Sequence, residues 1–301
     1  MSRRGLLLFA AMCVIWGIPY LLIRVAVAEV SPAVLVFIRT GVATLILLPF
    51  VLGRGGLRPI GGRWPYLVAF AAVEVAGPWF LLSSAEQRIT SALAGLLVAA
   101  VPLAGVIIAA AFGNREYFGF GSMAGFLVGL VGVALIVGFD LHASSPLALA
   151  EMTGVVVGYA LGPAILSRYL NGIPSVTVIG VALAMCCVVY APFAIAQWPH
   201  SVPSPAALGA VSVLAVLCTA VAFLLFFALI AEIGPVRSTV ITYVNPAVAA
   251  VLGVAVLHEN LTVGMGAGFA LVLLGSILST RRGAATEGRR TVSEAQPGEA
   301  V

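Results

Sequence analysis

Glu74 stands inside an apolar run, Ala71-Ala72-Val73-Glu74-Val75-Ala76, with Pro78 and Trp79 about one helical turn further on. A carboxyl set among methyl groups meets an ammonium or a proton, or is satisfied by a buried donor such as Arg39 in a structural role. Arg39 lies seven residues after Pro32 in a second apolar stretch. Its planar guanidinium either braces neighbouring helices or takes a carboxylate in its fork. Trp16, Tyr20 and Arg24 recur at steps of four and share a helix stripe, with Arg24 near enough to an end to snorkel. Thr239, Thr242, Tyr243 and Pro246 also line one face, and Asn245 lies beside them. Those groups either bind a polar ligand where Pro246 frees a backbone carbonyl, or link helices by hydrogen bonds. The candidate binding set is therefore Trp16, Tyr20, Arg39, Glu74, Trp79, Thr242, Tyr243 and Asn245. Its charges suit a small zwitterion or ammonium, and its rings would form walls.

Bond-breaking chemistry finds little support. There is no Gly-x-Ser-x-Gly elbow and no Walker loop, and His258-Glu259 lacks the second histidine of a zinc-protease helix. The three histidines (His142, His200, His258) are far apart, and Cys13, Cys186, Cys187 and Cys218 sit in apolar runs without zinc spacing, as core-filling residues do. No catalytic residue, metal or cofactor is expected. Gly119 to Ala124 has the spacing of a dinucleotide loop, but no strand precedes it and packing is the reading.

The elements that must position these residues follow from composition. Of 301 residues, 62% are hydrophobic and 9% charged. A soluble domain carries about 25% charge, so this chain cannot cover a globule with polar surface. It reads as an all-α integral membrane protein. Hydropathy breaks delimit ten spans at about 5–27, 32–52, 65–83, 90–112, 118–139, 148–169, 175–197, 206–230, 235–257 and 263–280. The basic start resembles a signal peptide but is read as the first span. The net charge of +4 comes from scattered arginines rather than a clustered face, which excludes a nucleic-acid surface. Placed by the positive-inside rule, most arginines fall in the cytoplasm together with both termini.

The spans repeat. Pro19 and Arg24 recur as Pro163 and Arg168, Pro49 as Pro192, Pro102 as Pro246, and Glu116, Gly125 and Gly132 as Glu259, Gly268 and Gly275, each pair 143 or 144 apart. Two five-helix repeats follow, residues 1–145 and 146–280, with a disordered cytoplasmic tail at 281–301. Five is odd, so the second repeat enters the membrane inverted, an arrangement recurrent in secondary transporters. Small-residue spacing at Gly121, Gly125, Gly129, Gly264 and Gly268 permits a homodimer contact, and intramolecular packing explains it equally well. Glu116 and Glu259 are placed to cap the helices that follow them.

Several segments carry a family likeness. They are Trp16-Gly17-Ile18-Pro19-Tyr20, Pro32 through Arg39, Ser91-Ala92 leading into Pro102, the stretch Ala231 to Pro246, and His258-Glu259-Asn260-Leu261-Thr262 before a glycine-rich last span. In that order they resemble the EamA-type transporters of the drug/metabolite transporter superfamily, over residues 1 to about 280. The resemblance implies ten helices around a central cavity and alternating access. It also implies movement, often export, of small metabolites such as amino acids and their analogues. The chain departs from the family where a Gly-Glu pair usually closes the ninth span, having His258-Glu259 instead. The expected function is secondary transport or exchange of a small polar metabolite in the plasma (inner) membrane, with a coupling proton as a further partner. A passive channel or a lipid-modifying membrane enzyme are the alternatives.

Overall fold

The computed structural model describes residues 2–111, 120–138 and 145–294, and every structural statement below concerns those residues. All their regular structure is helical. Ten segments follow one another: α1 (Arg3–Ala26), α2 (Pro32–Gly53), α3 (Trp64–Ala85), α4 (Ser91–Val98 and Val101–Ala111), α5 (Phe120–Gly138), α6 (Pro146–Tyr169), α7 (Ser175–Ala196), α8 (Pro205–Ile233), α9 (Pro235–Ser238 and Ile241–Leu257) and α10 (Val263–Glu294). The first eight contain helices long and apolar enough to cross a membrane, while Ile241–Leu257 and Val263–Ser279 are apolar but shorter. Much large apolar surface faces outward, Ile195 at 75% and Leu45 at 70% exposure among it. Such exposure suits hydrocarbon and not water.

Helix starts follow from local chemistry. Ser31, Thr90 and Ser204 accept from the backbone N–H three residues on, and Pro32, Pro146 and Pro205 occupy first helical positions where no donor is needed. Breaks follow from internal prolines, whose ring crowds the carbonyl four residues back. Pro19 thus interrupts α1 between Ile15 and Ile18, Pro102 interrupts α4 between Val98 and Val101, and the turn before Pro78 widens into a π-helix at Ala71–Ala76. A second π-helix, Val216–Val221, lies in α8 and has no proline. There the Thr219 hydroxyl donates to the Leu214 carbonyl five residues back, at 2.8 Å.

Consecutive helices run up and down, so two ends can be distinguished. At one, Glu29 meets Ser204, Arg88 pairs with Glu151 at 2.9 Å, and Glu259 reaches Ser91. At the other, Arg63 donates to the Asn171 carbonyl, Ser2 to Glu232, and Tyr66 stacks on Tyr169. Packing pairs recur five helices apart: α1 on α8 answers α6 on α3, α1 on α9 answers α6 on α4, and α2–α7, α4–α9 and α5–α10 answer themselves. On α5 and α10 the glycines let backbones touch. A Cβ on Gly132 would stand 2.6 Å from the Gly268 carbonyl oxygen, and one on Gly125 2.7 Å from the Ser279 nitrogen.

Three details differ from expectation. The last helix runs from Val263 to Glu294, past the 280 at which the last span was placed. Glu259 caps α4, not the helix that follows it. The ninth segment is not one continuous helix from 235, because Thr239 and Val240 separate its first turn from Ile241. Glu116 and His142 lie outside the described residues.

Candidate functional site

The two π turns organise the interior. They occupy residues 71–76 and 216–221, 145 apart, and carry Glu74 and Thr219 at the same place within the turn. The widened backbone puts both side chains on the inner side of their helices, against partners from elsewhere in the chain.

Arg39 comes in from α2. Its Nε donates to Thr219 Oγ1 at 2.7 Å, and its guanidinium lies over the Trp79 ring, 3.7 Å from the centroid. Only 7% of Arg39 and 6% of Trp79 is exposed, so both are sealed in the interior. The bond to Thr219 ties α2 to α8, across the middle of the chain. No bond joins Arg39 to Glu74, so the structural alternative in which they satisfy each other is not the arrangement found.

Glu74 instead lies against α6. Its carboxyl fills the space left by Gly162: a Cβ there would overlap Oε2 and come within 2.8 Å of Cδ. One turn earlier Gly158 leaves room in the same way for Pro78, 2.7 Å from its notional Cβ. Oε2 of Glu74 is buried and has no hydrogen-bond partner among the described residues. An acceptor left this way is costly by about 1–3 kcal/mol, and more when charged. It is a position that a donor from outside the protein can fill.

Two tyrosines complete the group. Tyr20, 7% exposed, packs its ring 3.7 Å from the Gly95 position, within electrostatic reach of Arg39 and Tyr159. Tyr159 of α6 lies within reach of both Glu74 and Arg39 and packs against two of the apolar cores at once. Trp16, at the break in α1, is lodged against Phe226 and Phe223, with centroids 4.7 and 5.7 Å away.

The remaining candidates stand apart. Asn245 is buried and works as a fastener: with its amide turned to satisfy both, Nδ2 donates to the Ile241 and Cys13 carbonyls, each at 3.0 Å, tying α9 to the break in α1. Thr242 is exposed, its hydroxyl donating to the Thr239 carbonyl at 2.7 Å. Tyr243 is half-buried and no contact brings it to Arg39 or Glu74. Thr219 and Tyr159 were not singled out from the sequence, although the repeat offers both. An offset of 143 carries Trp16 onto Tyr159, and 145 carries Glu74 onto Thr219.

Two cavities open at opposite ends of the bundle rather than at this cluster. One, about 490 Å³, is lined by Arg24, Val25, Ala28, Thr90, Leu257 and Glu259. The other, about 320 Å³, lies between α4 and α6, with Gly105, Ala160, Ala164 and Tyr169 in its wall. Neither cavity has Arg39 or Glu74 in its lining. Arg24 does not snorkel freely, since its guanidinium donates to the Glu86 carbonyl.

The pattern of the EamA-like transporter family matches residues 3–138 and, a second time, residues 148–281. Among named relatives, the uncharacterized inner membrane transporter YedA of Escherichia coli K12 is 27% identical over 265 residues, which span 84% of this chain and 82% of the relative. The uncharacterized transporter YvbV of Bacillus subtilis is 25% identical, over 90% of each chain. An uncharacterized transporter of Archaeoglobus fulgidus is 24% identical, over 89% of this chain and 95% of its own. A solved crystal structure at 20% identity, with a TM-score of 0.64, covers 95% of this chain and 100% of its own and shares the fold.

Proposed function

The chain belongs to the EamA-like transporter family, and from that footing we propose that it is a secondary carrier for small polar metabolites of the amino-acid class. Its working parts are two inverted five-helix repeats that rock around the Arg39–Glu74 cluster, exposing it to each mouth in turn. The membrane is the inner one, with both termini in the cytoplasm, and the direction is export or exchange.

One observation carries the reading. In an apolar bundle, the buried Oε2 of a half-buried Glu74, without a donor, and a guanidinium held by only a ring and a hydroxyl lie in the interior, between cavities that open to opposite ends. Buried charge of this kind is expensive in a membrane and marks a ligand path. A zwitterionic amino acid answers both groups: its ammonium completes Glu74, and its carboxylate takes the outer N–H groups of Arg39. Trp79, Tyr20 and Tyr159 supply walls. Trp16 stands one layer further out, while Asn245, Thr242 and Tyr243 serve the frame.

The test is counterflow in proteoliposomes loaded with a mixture of unlabelled amino acids, following uptake of traces of labelled ones. A transient rise above equilibrium is expected, and it identifies a carrier, because a channel gives no overshoot and an enzyme converts its substrate. Folded protein that gives no overshoot with any member of the mixture would remove the amino-acid proposal.

A further inference from the structure

Glu86 is the first residue past α3, and its side chain is wholly buried. Neither carboxyl oxygen has a hydrogen-bond partner among the described residues. That is a costly way to end a helix, since an exposed Glu at this position would simply be hydrated. Its surroundings come from four other parts of the chain. Tyr20 and Arg24 of α1, Arg39 of α2, Tyr159 of α6 and Glu259 in the turn after α9 lie within electrostatic reach of it. On its own side, Gln87 donates to the Val27 carbonyl and Arg88 is committed to Glu151. The Arg24 guanidinium spends its contact on the Glu86 backbone carbonyl and not on the carboxyl.

Glu86 also lies near a cavity, its backbone carbonyl accepting from Arg24 of the lining. Arg24 and Glu259, which line the 490 Å³ cavity, are its neighbours. Glu259 ties the rim of that cavity: its carboxylate accepts from the Ser91 N–H at 2.8 Å, the Ala92 N–H at 2.9 Å and the Ser91 hydroxyl at 3.0 Å. The tie joins the second half of the chain to the start of α4 in the first. On the inward side, Tyr20 and Tyr159 lie within electrostatic reach of both Glu86 and Arg39, so charge at Glu86 is felt at the cluster.

We infer that Glu86 is the proton-binding group of this carrier, exchanging its proton with the medium through the Arg24-side mouth as the Glu259 tie opens. In the closed state described here the carboxyl is neutral. On opening, its O–H bond breaks heterolytically, the proton passes to water, and the carboxylate is hydrated in place. Burial is the main cause that lifts its proton affinity above the ordinary carboxylate range, with Glu259 adding to it and Arg24 and Arg39 opposing. Work is then divided between two carboxyls: Glu74 meets the substrate, and Glu86 meets the proton. The inference rests on the carrier reading, and the tests separate the two.

The variant is Glu86→Gln, which keeps the shape of a protonated Glu. In proteoliposomes with the amino-acid mixture, Glu86→Gln retains counterflow to within about twofold of wild type. Counterflow by wild type should fall as the pH on the Arg24 side is raised, because the carboxylate must regain its proton before that end can close, whereas counterflow by Glu86→Gln should not respond. If wild type counterflows but does not respond to that pH, or if Glu86→Gln still does, the assignment to Glu86 is overturned while the carrier stands. A second measurement needs no substrate and no variant transport. Infrared difference spectra of the purified protein at pH 7 should contain a protonated carboxylic C=O band that is lost in Glu86→Gln. Absence of that band in folded wild-type protein overturns the inference even if no transported amino acid is found.

Discussion

Replacing Gly162 with Ala adds one methyl group to α6 and nothing else, yet the geometry predicts a large effect. The new Cβ would overlap Glu74 Oε2, come within 2.8 Å of Cδ and stand 3.0 Å from the Glu74 Cβ. Ordinary contact requires the carboxyl to retreat by about 1 Å or more. Overpacking of this kind typically costs ~1–3 kcal/mol, while Gly to Ala within a helix returns ~0.5–1 kcal/mol, leaving a net loss of at most about 2.5 kcal/mol. A misplacement of ~1 Å in a group that orients its ligand can lower a rate by about a hundredfold. Counterflow by Gly162→Ala should therefore fall by about 10- to 100-fold while the protein remains folded. A double-mutant cycle isolates the cause. In a Glu74→Ala background the carboxyl is gone, only the Cβ contact remains, and Gly162→Ala should leave the melting temperature in detergent nearly unchanged. The reasoning fails if Gly162→Ala transports at the wild-type rate, or if it lowers the melting temperature equally in both backgrounds.

Arg39→Lys keeps the charge but loses the planar stack on Trp79 and the fixed bond to Thr219. Together these are worth about 2 kcal/mol or more, so the half-saturating substrate concentration in counterflow should rise by roughly tenfold or more. Glu259→Ala removes three hydrogen bonds at the start of α4 and should lower thermal stability by the ~1–2 kcal/mol of a lost cap, with Glu259→Gln losing less, measured by thermal unfolding in detergent. Glu29 accepts from the Ser204 hydroxyl and N–H, which hold its carboxyl below its usual range. A lowered folded-state value means that this stabilisation is present above the ordinary carboxylate range and is lost as the pH falls through the folded value. Ser204→Ala also removes the N-cap of α8, a loss present at every pH, so it should lower the melting temperature more at neutral pH than in acid, as a pH series would show.

The course of the chain was legible because prolines and polar caps act locally. Ser-Pro pairs begin α2, α6 and α8, and Pro19, Pro78 and Pro102 each disturb the helix four residues before them. The π turn at 216–221 was not legible, since Val216-Leu-Cys-Thr-Ala-Val221 contains no breaker and the distortion rests on one hydroxyl reaching a carbonyl five residues back. Among candidate residues, a charge in hydrocarbon is conspicuous on sequence alone, which is why Glu74 and Arg39 were singled out. Their partners were not, because pairing depends on tertiary placement: Arg39 turned to Thr219 and Trp79, not to Glu74. Periodicity placed Thr242 on the same face as Tyr243 but could not tell an inner face from an outer one, and Thr242 is exposed. Glu86 escaped notice because it lies beyond an apolar run, where a Glu is ordinarily hydrated.

The two π turns sharpen what the repeat contributes. A duplicated frame alone would place like residues at like positions, and in the frame it does: the prolines and the packing glycines recur. At the π turns it does not, for one half carries Glu74 and the other Thr219. The single interior guanidinium bonds to the neutral member, which leaves the acidic member without a donor. Had Arg39 paired with Glu74 instead, the two charges would have cancelled in a buried ion pair with nothing left to offer a ligand. Holding Arg39 on a ring and a hydroxyl keeps it charged, ordered and separate from the carboxylate. In the proposed function, the unlike residues at like positions are what would give the duplicated frame a site with a positive and a negative end. Exchanging them, with Glu74→Thr and Thr219→Glu together, should draw Arg39 into a salt bridge with the new Glu and abolish counterflow without unfolding the protein. Retained transport in that double variant would mean that the placement of the charges, and not only their presence, is immaterial.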